Sequence, residues 1–142
     1  MADPTNALST NAAQAVAASA LKAQQARMRV IAENLANADS VATSAGGDPY
    51  RRQAPVFEPA KVDGGGMGVA MTGTRPDQTP FRSEYNPGSP AADAKGYVKM
   101  PNIDPLTEAM DMREAQRAYQ ANLNVIENQR SMDNNTLGII KK

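Results

Sequence analysis

The stretch LKAQQARMRVIAENLANA, residues 21–38, decides the fold because it places apolar and amide side chains along one face of a helix. That face recurs at alternating steps of three and four residues, through Leu21, Gln24, Met28, Ile31, Leu35 and Ala38. Such an a/d heptad pattern predicts a helix that packs lengthwise against another helix. Because residues 5–45 contain neither Gly nor Pro, the helix is predicted over about residues 5–38, after a start signal at Asp3-Pro4.

A second long helix is predicted at the other end of the chain. Residues 106–137 again contain neither Gly nor Pro, whereas residues 46–101 hold 17 of the 20. Asp104-Pro105 predicts the start of the helix and Gly138 its end. Its main apolar face contains Met112, Tyr119, Leu123 and Ile126, and a second line beside it contains Ala118, Val125 and Met132. A helix of about 50 Å exceeds the diameter of about 40 Å of a compact chain of this size, so an elongated molecule is predicted.

The middle of the chain is predicted to form a small, partly irregular β-rich lobe. Strands are predicted at residues 50–58 and 68–73 and more weakly at Phe81-Arg82, with turns at residues 64–66 and 86–90. The predicted class is therefore mainly α. The predicted division is an N-terminal helix of an axial coiled-coil domain in residues 1–38, the lobe in residues 39–101, and a C-terminal helix of the same axial domain in residues 102–142.

The composition bears on how such helices are stabilised. Leu, Ile, Val and Phe together account for only 21 of the 142 residues, whereas 25 residues are Ala. A domain with so few large aliphatic side chains has little apolar surface to offset the entropy of the chain. The net charge is zero, unlike that of most disordered chains. The chain therefore either stays loose or buries its surface against other chains.

The chain contains no His, Cys or Trp. This excludes ordinary zinc, haem and iron–sulfur sites, His- or Cys-based nucleophilic catalysis and a disulfide framework. The carboxylates show no spacing that suits acid–base catalysis, and the balanced charge predicts no nucleic-acid partner. We expect no enzymatic activity, no cofactor and no metal. No secretory signal and no long apolar run occur, so neither a cleaved signal peptide nor a membrane span is predicted.

Two local motifs have simple structural interpretations. The glycine-rich stretch of residues 64–68 lacks the Gly-Lys-Ser/Thr ending of a phosphate-binding loop and predicts a flexible turn. Arg51-Arg52 predicts a solvated strand edge or a salt bridge between subunits, either of which contributes little to stability.

The two helical faces admit three interpretations: a helix pair within a monomer, packing against other chains, or a helix lying on a membrane surface. The membrane interpretation is disfavoured because neither polar face is strongly basic. Polar side chains on or near the faces are Gln14, Gln24, Gln116, Asn122 and Gln129. Such residues lower the stability of a lone pair while they fix register and partner choice, which favours an array with many neighbours.

Both ends of the chain resemble flagellar rod and hook proteins. ENLANAD, residues 33–39, is similar to their N-(I/L)-A-N-A-(D/N) signature, and RAYQAN, residues 117–122, is similar to their R-A-Y-Q-A-N core. Residues 47–58 and 96–102 are similar to the short proximal-rod proteins of the "C" type, with the sister "B" type as the alternative within the family. The resemblance covers about two-thirds of the chain.

The resemblance implies a structural subunit of the basal-body rod, the helical tube that transmits torque from the flagellar motor to the hook. It implies export through the flagellar type III apparatus without a cleaved signal and assembly in the periplasm. The terminal helices would form an inner coiled-coil layer, and the partners would be other rod proteins and further copies of the chain. A soluble coiled-coil adaptor or export chaperone stays open as the alternative function.

Twelve residues are predicted to form the assembly interface from their heptad positions and side-chain types. Leu21, Met28, Ile31 and Leu35 are expected to pack on Met112, Tyr119, Leu123 and Ile126, within the subunit and between neighbours. Asn34, Asn37, Gln120 and Asn122 are expected to form hydrogen bonds between helices that set their register.

Overall fold

The computed structural model describes residues 4–141, with side chains from residue 10. These residues form two long helices, α1 (Pro4–Ala36) and α2 (Pro105–Ile140), with β1 (Gln53–Lys61), β2 (Met67–Pro76), β3 (Arg82–Tyr85) and β4 (Tyr97–Met100) between them. The helices contain 33 and 36 residues, close to half of the chain. The predicted class, mainly α with a small β lobe, is confirmed.

The first helix ends close to its predicted boundary. It stops at Ala36, two residues before the predicted residue 38. Beyond this point the side-chain amide of Asn37 donates to the carbonyl of Glu33 at 2.8 Å and satisfies one of the last helix carbonyls. Asp3, the predicted start signal, lies outside the described residues.

Asp104 caps the start of α2 as the sequence predicts. Its carboxylate accepts the Thr107 hydroxyl at 2.9 Å and the Leu106 N–H at 3.1 Å, so it satisfies a helix donor that lacks an intrahelical partner. These hydrogen bonds, that of the Thr107 hydroxyl foremost, hold the pKa of Asp104 below its usual value.

The prediction that Gly138 ends α2 is wrong. The helix continues to Ile140, and the Lys141 N–H still donates to the Leu137 carbonyl at 3.1 Å. Gly138 does not take the positive φ that a glycine cap requires, so the helical hydrogen bonds pass through it.

The predicted strands are found with shifted bounds. β1 begins at Gln53 rather than residue 50, because the N–H of Arg52 donates to the Asn102 side chain at 2.8 Å instead of to a strand. β2 is longer than predicted at both ends, and β3 follows Phe81 rather than including it. β4 escaped prediction because it has only four residues, too few for the alternation of exposed and buried side chains to be recognised in the sequence.

The strands form two separate two-stranded sheets, β1 with β2 and β3 with β4. Only five residues join β1 to β2, so this pair is an antiparallel hairpin. The second sheet is antiparallel, with Arg82 opposite Met100 and Tyr85 opposite Tyr97. The rings of Tyr85 and Tyr97 meet edge to face with their centroids 5.3 Å apart, a favourable geometry for an aromatic pair.

The chain divides into two compact units. Unit 1 consists of Met1–Arg27, Phe57–Thr72 and Glu114–Lys142, and unit 2 consists of Met28–Val56 and Gly73–Arg113. Each unit therefore combines part of α1, part of the β1–β2 hairpin and part of α2, and this division differs from a helix–lobe–helix partition of the sequence.

The two helices run in opposite directions within unit 1. Gln14 of α1 donates to Asp133 of α2 at 3.5 Å, whereas Arg27, further along α1, lies 3.7 Å from Glu114, which comes earlier in α2. The fully buried apolar side chains of the described part of this unit are all alanines: Ala17, Ala23 and Ala115. Small side chains allow close helix packing but contribute little apolar area.

The β1–β2 hairpin packs closely on α1 through alternate glycines. Gly64 faces Ala12, Gly66 faces Val16 and Gly68 faces Ser19. A Cβ at residue 68 would overlap the Ser19 hydroxyl and would lie 2.8 Å from a methyl of Val62. That hydroxyl is fixed in place, because it donates to the Val16 carbonyl at 2.7 Å and accepts the Val69 N–H at 3.2 Å. Gly68 is therefore required by the packing of the hairpin.

Unit 2 has the larger apolar core. Its buried apolar side chains are Val30, Ile31, Ala38, Ala91, Val98 and Ile103. All four of the large aliphatic side chains that are fully buried in the described part of the chain belong to this unit.

We predict that Gly68→Ala lowers the free energy of unfolding by about 1–3 kcal/mol, because the added methyl must displace a fixed hydroxyl. Urea unfolding of the full chain measures the change. Gly73→Ala is the matched control in the same strand, since a Cβ at residue 73 meets no atom within 4 Å. The control should be neutral or stabilising by up to about 1 kcal/mol through chain entropy. Equal midpoints for the two variants would contradict the packing argument.

Candidate functional site

A polar cluster closes unit 2, and the side-chain amide of Asn34 lies at its centre with 1% of the residue exposed. Its nitrogen donates to the Gln53 carbonyl at 2.9 Å, and its oxygen accepts the Gln53 N–H at 3.0 Å, so the side chain pairs with the start of β1 as a backbone would. The oxygen also accepts the Tyr50 hydroxyl at 3.2 Å, and the nitrogen donates to Glu108 at 3.4 Å. All four hydrogen-bonding positions of the amide are used, which offsets the cost of burying it.

Glu108 of α2 is the second buried polar residue of the cluster, with 0% exposure. The guanidinium Nε of Arg52 donates a short hydrogen bond to its carboxylate. The other guanidinium nitrogens lie 3.4 Å from Asp77 and 3.7 Å from Asp111. Because a buried carboxylate without a cationic partner costs several kcal/mol, Arg52 is the residue that allows Glu108 to lie in the interior.

The pKa values of the cluster follow from this arrangement. Partial burial acts to lower the pKa of Arg52, but the hydrogen bond and charge of Glu108, with the charges of Asp77 and Asp111, raise it above its ordinary value. Burial raises the pKa of Tyr50, and the charges of Glu33 and Glu108 raise it further. Arg52 thus stays charged and Tyr50 stays a hydrogen-bond donor, and both side chains hold the cluster in place.

Asn102 and Arg51 connect the cluster to the segment after β2. The Asn102 amide accepts the Arg52 N–H and donates to the carbonyls of Asp77 and Thr79 at 3.0 and 2.9 Å. Arg51 donates to the same two carbonyls at 2.9 and 3.2 Å, and its guanidinium lies 4.2 Å above the Phe81 ring. The chain between β2 and β3 is therefore fixed by side chains rather than by a sheet.

The interpretation of Arg51-Arg52 as a solvated strand edge is wrong, whereas a salt bridge between subunits stays a prediction. Both residues are partly buried, and their partners belong to the same chain. The sequence signal that could have located this site is Glu108, an acidic residue four positions after Asp104 on the inner side of a predicted helix. A carboxylate at such a position requires a cation within the chain.

The structure divides the twelve predicted interface residues by their access to solvent. Ile31 and Asn34 are enclosed within the chain, with 3% and 1% exposure. Gln120 is exposed, and the other nine are half-buried: Leu21, Met28, Leu35, Asn37, Met112, Tyr119, Asn122, Leu123 and Ile126. Their role in assembly stays a prediction.

Of the four side-chain amides that were predicted to bond between helices, one bonds to the other helix and three bond to residues close to them in the sequence. Asn34 bonds to Glu108 of the other helix. Asn37 donates to Glu33, Asn122 to the Ala118 carbonyl at 2.8 Å and Gln120 to Asn124 at 3.0 Å, each within its own helix. Within the subunit, therefore, Asn34 is the one of these four amides that sets the register between the helices.

The end of α2 carries apolar side chains that nothing in the described chain covers. Every residue from 131 to 140 is exposed. The large apolar side chains among these and the preceding turns are Val125 (51% exposed), Met132 (63%), Leu137 (56%), Ile139 (77%) and Ile140 (69%). Several exposed apolar side chains at one end of a helix are typical of a surface that contacts another molecule.

The described residues were also compared with the requirements of a metal site, a catalytic groove and a membrane span. Within residues 4–141, no group of three or more Asp, Glu, His or Cys side chains is arranged to hold a metal ion. An open groove of about 540 Å³ in unit 1 is lined by α1, the hairpin loop and α2, with Asp63 and Arg130 as its charged side chains. It brings together no nucleophile and base. Among the described helices, none has the length and apolar character needed to cross a bilayer.

Comparison with known proteins identifies both ends of the chain. Residues 15–42 match the family described as flagella basal body rod protein, and residues 94–139 match the family described as flagellar basal body rod FlgEFG protein C-terminal. The chain is 43% identical over 133 residues to the flagellar basal-body rod protein FlgC of Agrobacterium fabrum, covering 92% of this chain and 95% of that protein. It is 46% identical to FlgC of Escherichia coli O6:H1, covering 86% and 91%. It is 37% identical to FlgC of Borreliella burgdorferi, covering 89% and 94%.

We predict that Glu108→Gln lowers the free energy of unfolding by about 1.5–3 kcal/mol, because it removes a charge-assisted hydrogen bond and leaves the Arg52 guanidinium with Asp77 and Asp111 alone. Glu114→Gln is the matched control, since Glu114 is 67% exposed and lies 3.7 Å from Arg27. An exposed pair of this kind contributes less than about 1 kcal/mol. Urea unfolding of both variants at neutral pH tests the difference, and equal losses would show that burial of the pair does not matter.

We also predict that Asp77 makes the subunit sensitive to acid. The hydrogen bonds from the Thr79 hydroxyl and N–H, together with the nearby Arg52, hold the pKa of Asp77 below its ordinary value of 3.8. Its carboxylate therefore stabilises the fold above about pH 4, and this contribution is lost as the pH falls through the lowered pKa. Unfolding midpoints at pH 7 and pH 3 should differ less for Asp77→Asn than for the unsubstituted chain. The exposed carboxylate variant Asp39→Asn is the control and should keep the original pH dependence.

Proposed function

Because the chain belongs to the FlgC family of flagellar basal-body rod proteins, we propose that it assembles by helix packing into the tube that transmits torque from the motor to the hook. It is a structural subunit of the proximal rod of the flagellar basal body and assembles with other rod components. The soluble adaptor or chaperone alternative is not favoured. We further propose that copies of the chain contact each other in the rod and that the protein carries out no catalysis.

One observation carries this proposal: unit 1 has only alanines fully buried in its described part, while α2 exposes large apolar side chains. Helices packed around alanine bury little apolar area and are marginal without neighbours. The exposed side chains supply the missing area only when other helices cover them. An array of subunits therefore completes a core that one chain leaves unfinished.

The half-buried faces of both helices have a proposed part in this packing. Leu21, Met28 and Leu35 on α1 retain partial access to solvent, as do Tyr119 and Leu123 on α2. In an assembled rod, the same side chains can contact their own partner helix and the helix of a neighbour. The axial coiled-coil domain of the sequence interpretation is the form that we propose these helices take in the rod.

Export by the flagellar type III apparatus and assembly in the periplasm are parts of the same proposal. The chain contains no cysteine, so it has no disulfide to form or break during passage. Its unit 2 is closed by hydrogen bonds and ion pairs within the chain, which re-form after threading without another protein.

The test replaces the chromosomal copy of the gene with variants. Leu35→Asp places a carboxylate on the half-buried face of α1. Ala36→Asp places the same group at the next residue, which is exposed. We expect Leu35→Asp to abolish swimming and to remove the chain from purified basal bodies while the chain is still exported. Ala36→Asp should swim normally.

Urea unfolding of both purified variants separates assembly from folding, because a defect of assembly leaves the midpoint of Leu35→Asp close to that of Ala36→Asp. Normal swimming by Leu35→Asp, or by a strain that lacks the gene, would contradict the proposed function.

A further inference from the structure

Two exposed tyrosines lie opposite each other in the β3–β4 sheet. Tyr85 is 65% exposed and Tyr97 is 47% exposed, although the two residues are partners in the antiparallel pairing. Their rings meet edge to face, with the centroids 5.3 Å apart and the planes inclined by 64°. The pair is thus in contact and open to solvent at the same time, so a reagent in solution can reach both rings.

The register of the sheet brings these two side chains close together. The N–H of Tyr97 donates to the Asp93 carboxylate at 3.0 Å, and its carbonyl accepts the Asp93 N–H at 2.9 Å. The next pair along the sheet is hydrogen-bonded, since the Asn86 N–H donates to the Gly96 carbonyl at 2.9 Å. Tyr85 and Tyr97 therefore form a non-hydrogen-bonded pair, in which opposite Cα atoms lie only about 4.5 Å apart.

Gly96 makes room for the Tyr85 ring beside Tyr97. It has a φ of +85°, and a Cβ built on it would lie 2.9 Å from Cε2 of Tyr85. Cε2 is a ring carbon ortho to the hydroxyl, and two oxidised tyrosines couple through carbons of this kind. The fold therefore keeps a coupling carbon of Tyr85 beside the residue that immediately precedes Tyr97. Rotation about the side-chain torsions is enough to bring the two ortho positions together.

The composition leaves these two phenols with few competitors for an oxidant. The chain has no Cys, whose thiolate reduces tyrosyl radicals, and no Trp, whose indole is oxidised about as readily as a phenol. The other two of its four tyrosines, Tyr50 and Tyr119, are half-buried, and the Tyr50 hydroxyl donates to Asn34 at 3.2 Å. One-electron oxidation from solution therefore acts first on Tyr85 and Tyr97.

We propose that Tyr85 and Tyr97 are a site of oxidative cross-linking, where a dityrosine bond joins β3 to β4 within one chain. The oxidant is a haem peroxidase supplied with hydrogen peroxide. Each phenol gives up one electron and one proton, and hydrogen peroxide takes up the two electrons and two protons to become two molecules of water. The two phenoxyl radicals join through one ortho carbon of each ring. The hydrogens on those carbons then move to the two oxygens, which restores both hydroxyls.

The bond stabilises a weak element of the fold. Each strand of the β3–β4 sheet has four residues, and a two-stranded sheet of this kind is marginally stable by itself. A covalent link closes the loop of residues 86–96 and restricts the unfolded chain, as a disulfide does. This inference goes beyond the proposed function and does not depend on it, because both residues belong to the same chain.

The first experiment treats the purified full chain with a haem peroxidase and a limiting amount of hydrogen peroxide. Trypsin cleaves after Lys95, so Tyr85 and Tyr97 fall in separate peptides, residues 83–95 and 96–99. We expect mass spectrometry to find these two peptides joined, with the loss of two hydrogen atoms. We also expect dityrosine fluorescence at the position of the monomer on a denaturing gel. Absence of the joined peptides, when the oxidant has been consumed, would overturn the proposal.

Most of the product should form within single chains. A phenol held in the same chain has an effective concentration of about 1 mM, about a thousandfold above that of a second chain in a solution of about 1 μM. We therefore expect cross-linked monomer of 15.1 kDa to exceed cross-linked dimer by at least about 100-fold. Dimer as the main product would overturn the assignment of the bond to one chain.

Two variants separate the pairing from the mere presence of tyrosine. Tyr97→Phe keeps a ring beside Tyr85 but removes one phenol, so it should form no cross-linked monomer. The double variant Tyr97→Phe, Phe57→Tyr restores the number of tyrosines, since Phe57 is 37% exposed but lies in β1, outside this sheet. It should also form none. A yield from the double variant equal to that of the unsubstituted chain would contradict the proposal, because pairing across β3 and β4 would then not direct the reaction.

The second experiment measures urea unfolding before and after oxidation. The midpoint of the unsubstituted chain should rise on oxidation, because the new bond restricts its unfolded state. Oxidised Tyr97→Phe is the control, since its eight methionines meet the same oxidant and it lacks the cross-link. The rise should be absent in this control. Equal changes in the two chains would refute a stabilising link between β3 and β4.

Discussion

The fold of unit 2 depends on one side-chain amide that is buried and has every hydrogen-bonding position occupied. Asn34 pairs with both backbone groups of Gln53, accepts the hydroxyl of Tyr50 and donates to Glu108. α1, the start of β1 and the first turns of α2 therefore have a single compatible register, because a shift of either helix would leave a buried donor or acceptor without a partner. Glu108 requires Arg52 in turn, and Arg52 brings Asp77 and the segment after β2 to the same point. Hydrophobic packing supplies the stability, but this polar cluster specifies the arrangement.

How much of this fold the sequence predicts depends on how far apart in the sequence the contacting residues lie. Both helices follow from heptad spacing and from the positions of Gly and Pro, since helix formation is decided within a few turns. Arg52 could not be interpreted in that way, because its partners lie 25 and 56 positions away, at Asp77 and Glu108. The four-residue strand β4 was missed for a similar reason: its pairing with β3 is visible only once the chain has folded. Asn34 was correctly singled out as an amide that bonds between helices, yet its partners could not be named from the sequence.

The two units solve the shortage of large aliphatic residues in different ways. Unit 2 buries Val30, Ile31, Val98 and Ile103 and adds the polar cluster, so it has an apolar core of its own. In the described part of unit 1, only alanines are fully buried, and five large apolar side chains of α2 are exposed: Val125, Met132, Leu137, Ile139 and Ile140. The same composition thus yields one part that is stabilised internally and another that leaves apolar surface for contact with other chains. Leu106 and Met110 of α2, which belong to unit 2, are exposed as well, so both units present apolar side chains to solvent.

Such a division has a physical advantage for a subunit that must stay separate before it assembles. If the exposed surface of α2 were large enough to hold two copies together, dimers would form wherever the chain is concentrated and would compete with growth of the tube. Each copy in a tube has several neighbours, and the weak contacts then act together because loss of one does not release the subunit. Contacts between subunits that are individually weak therefore favour addition of a subunit to an existing array over association of free subunits in solution.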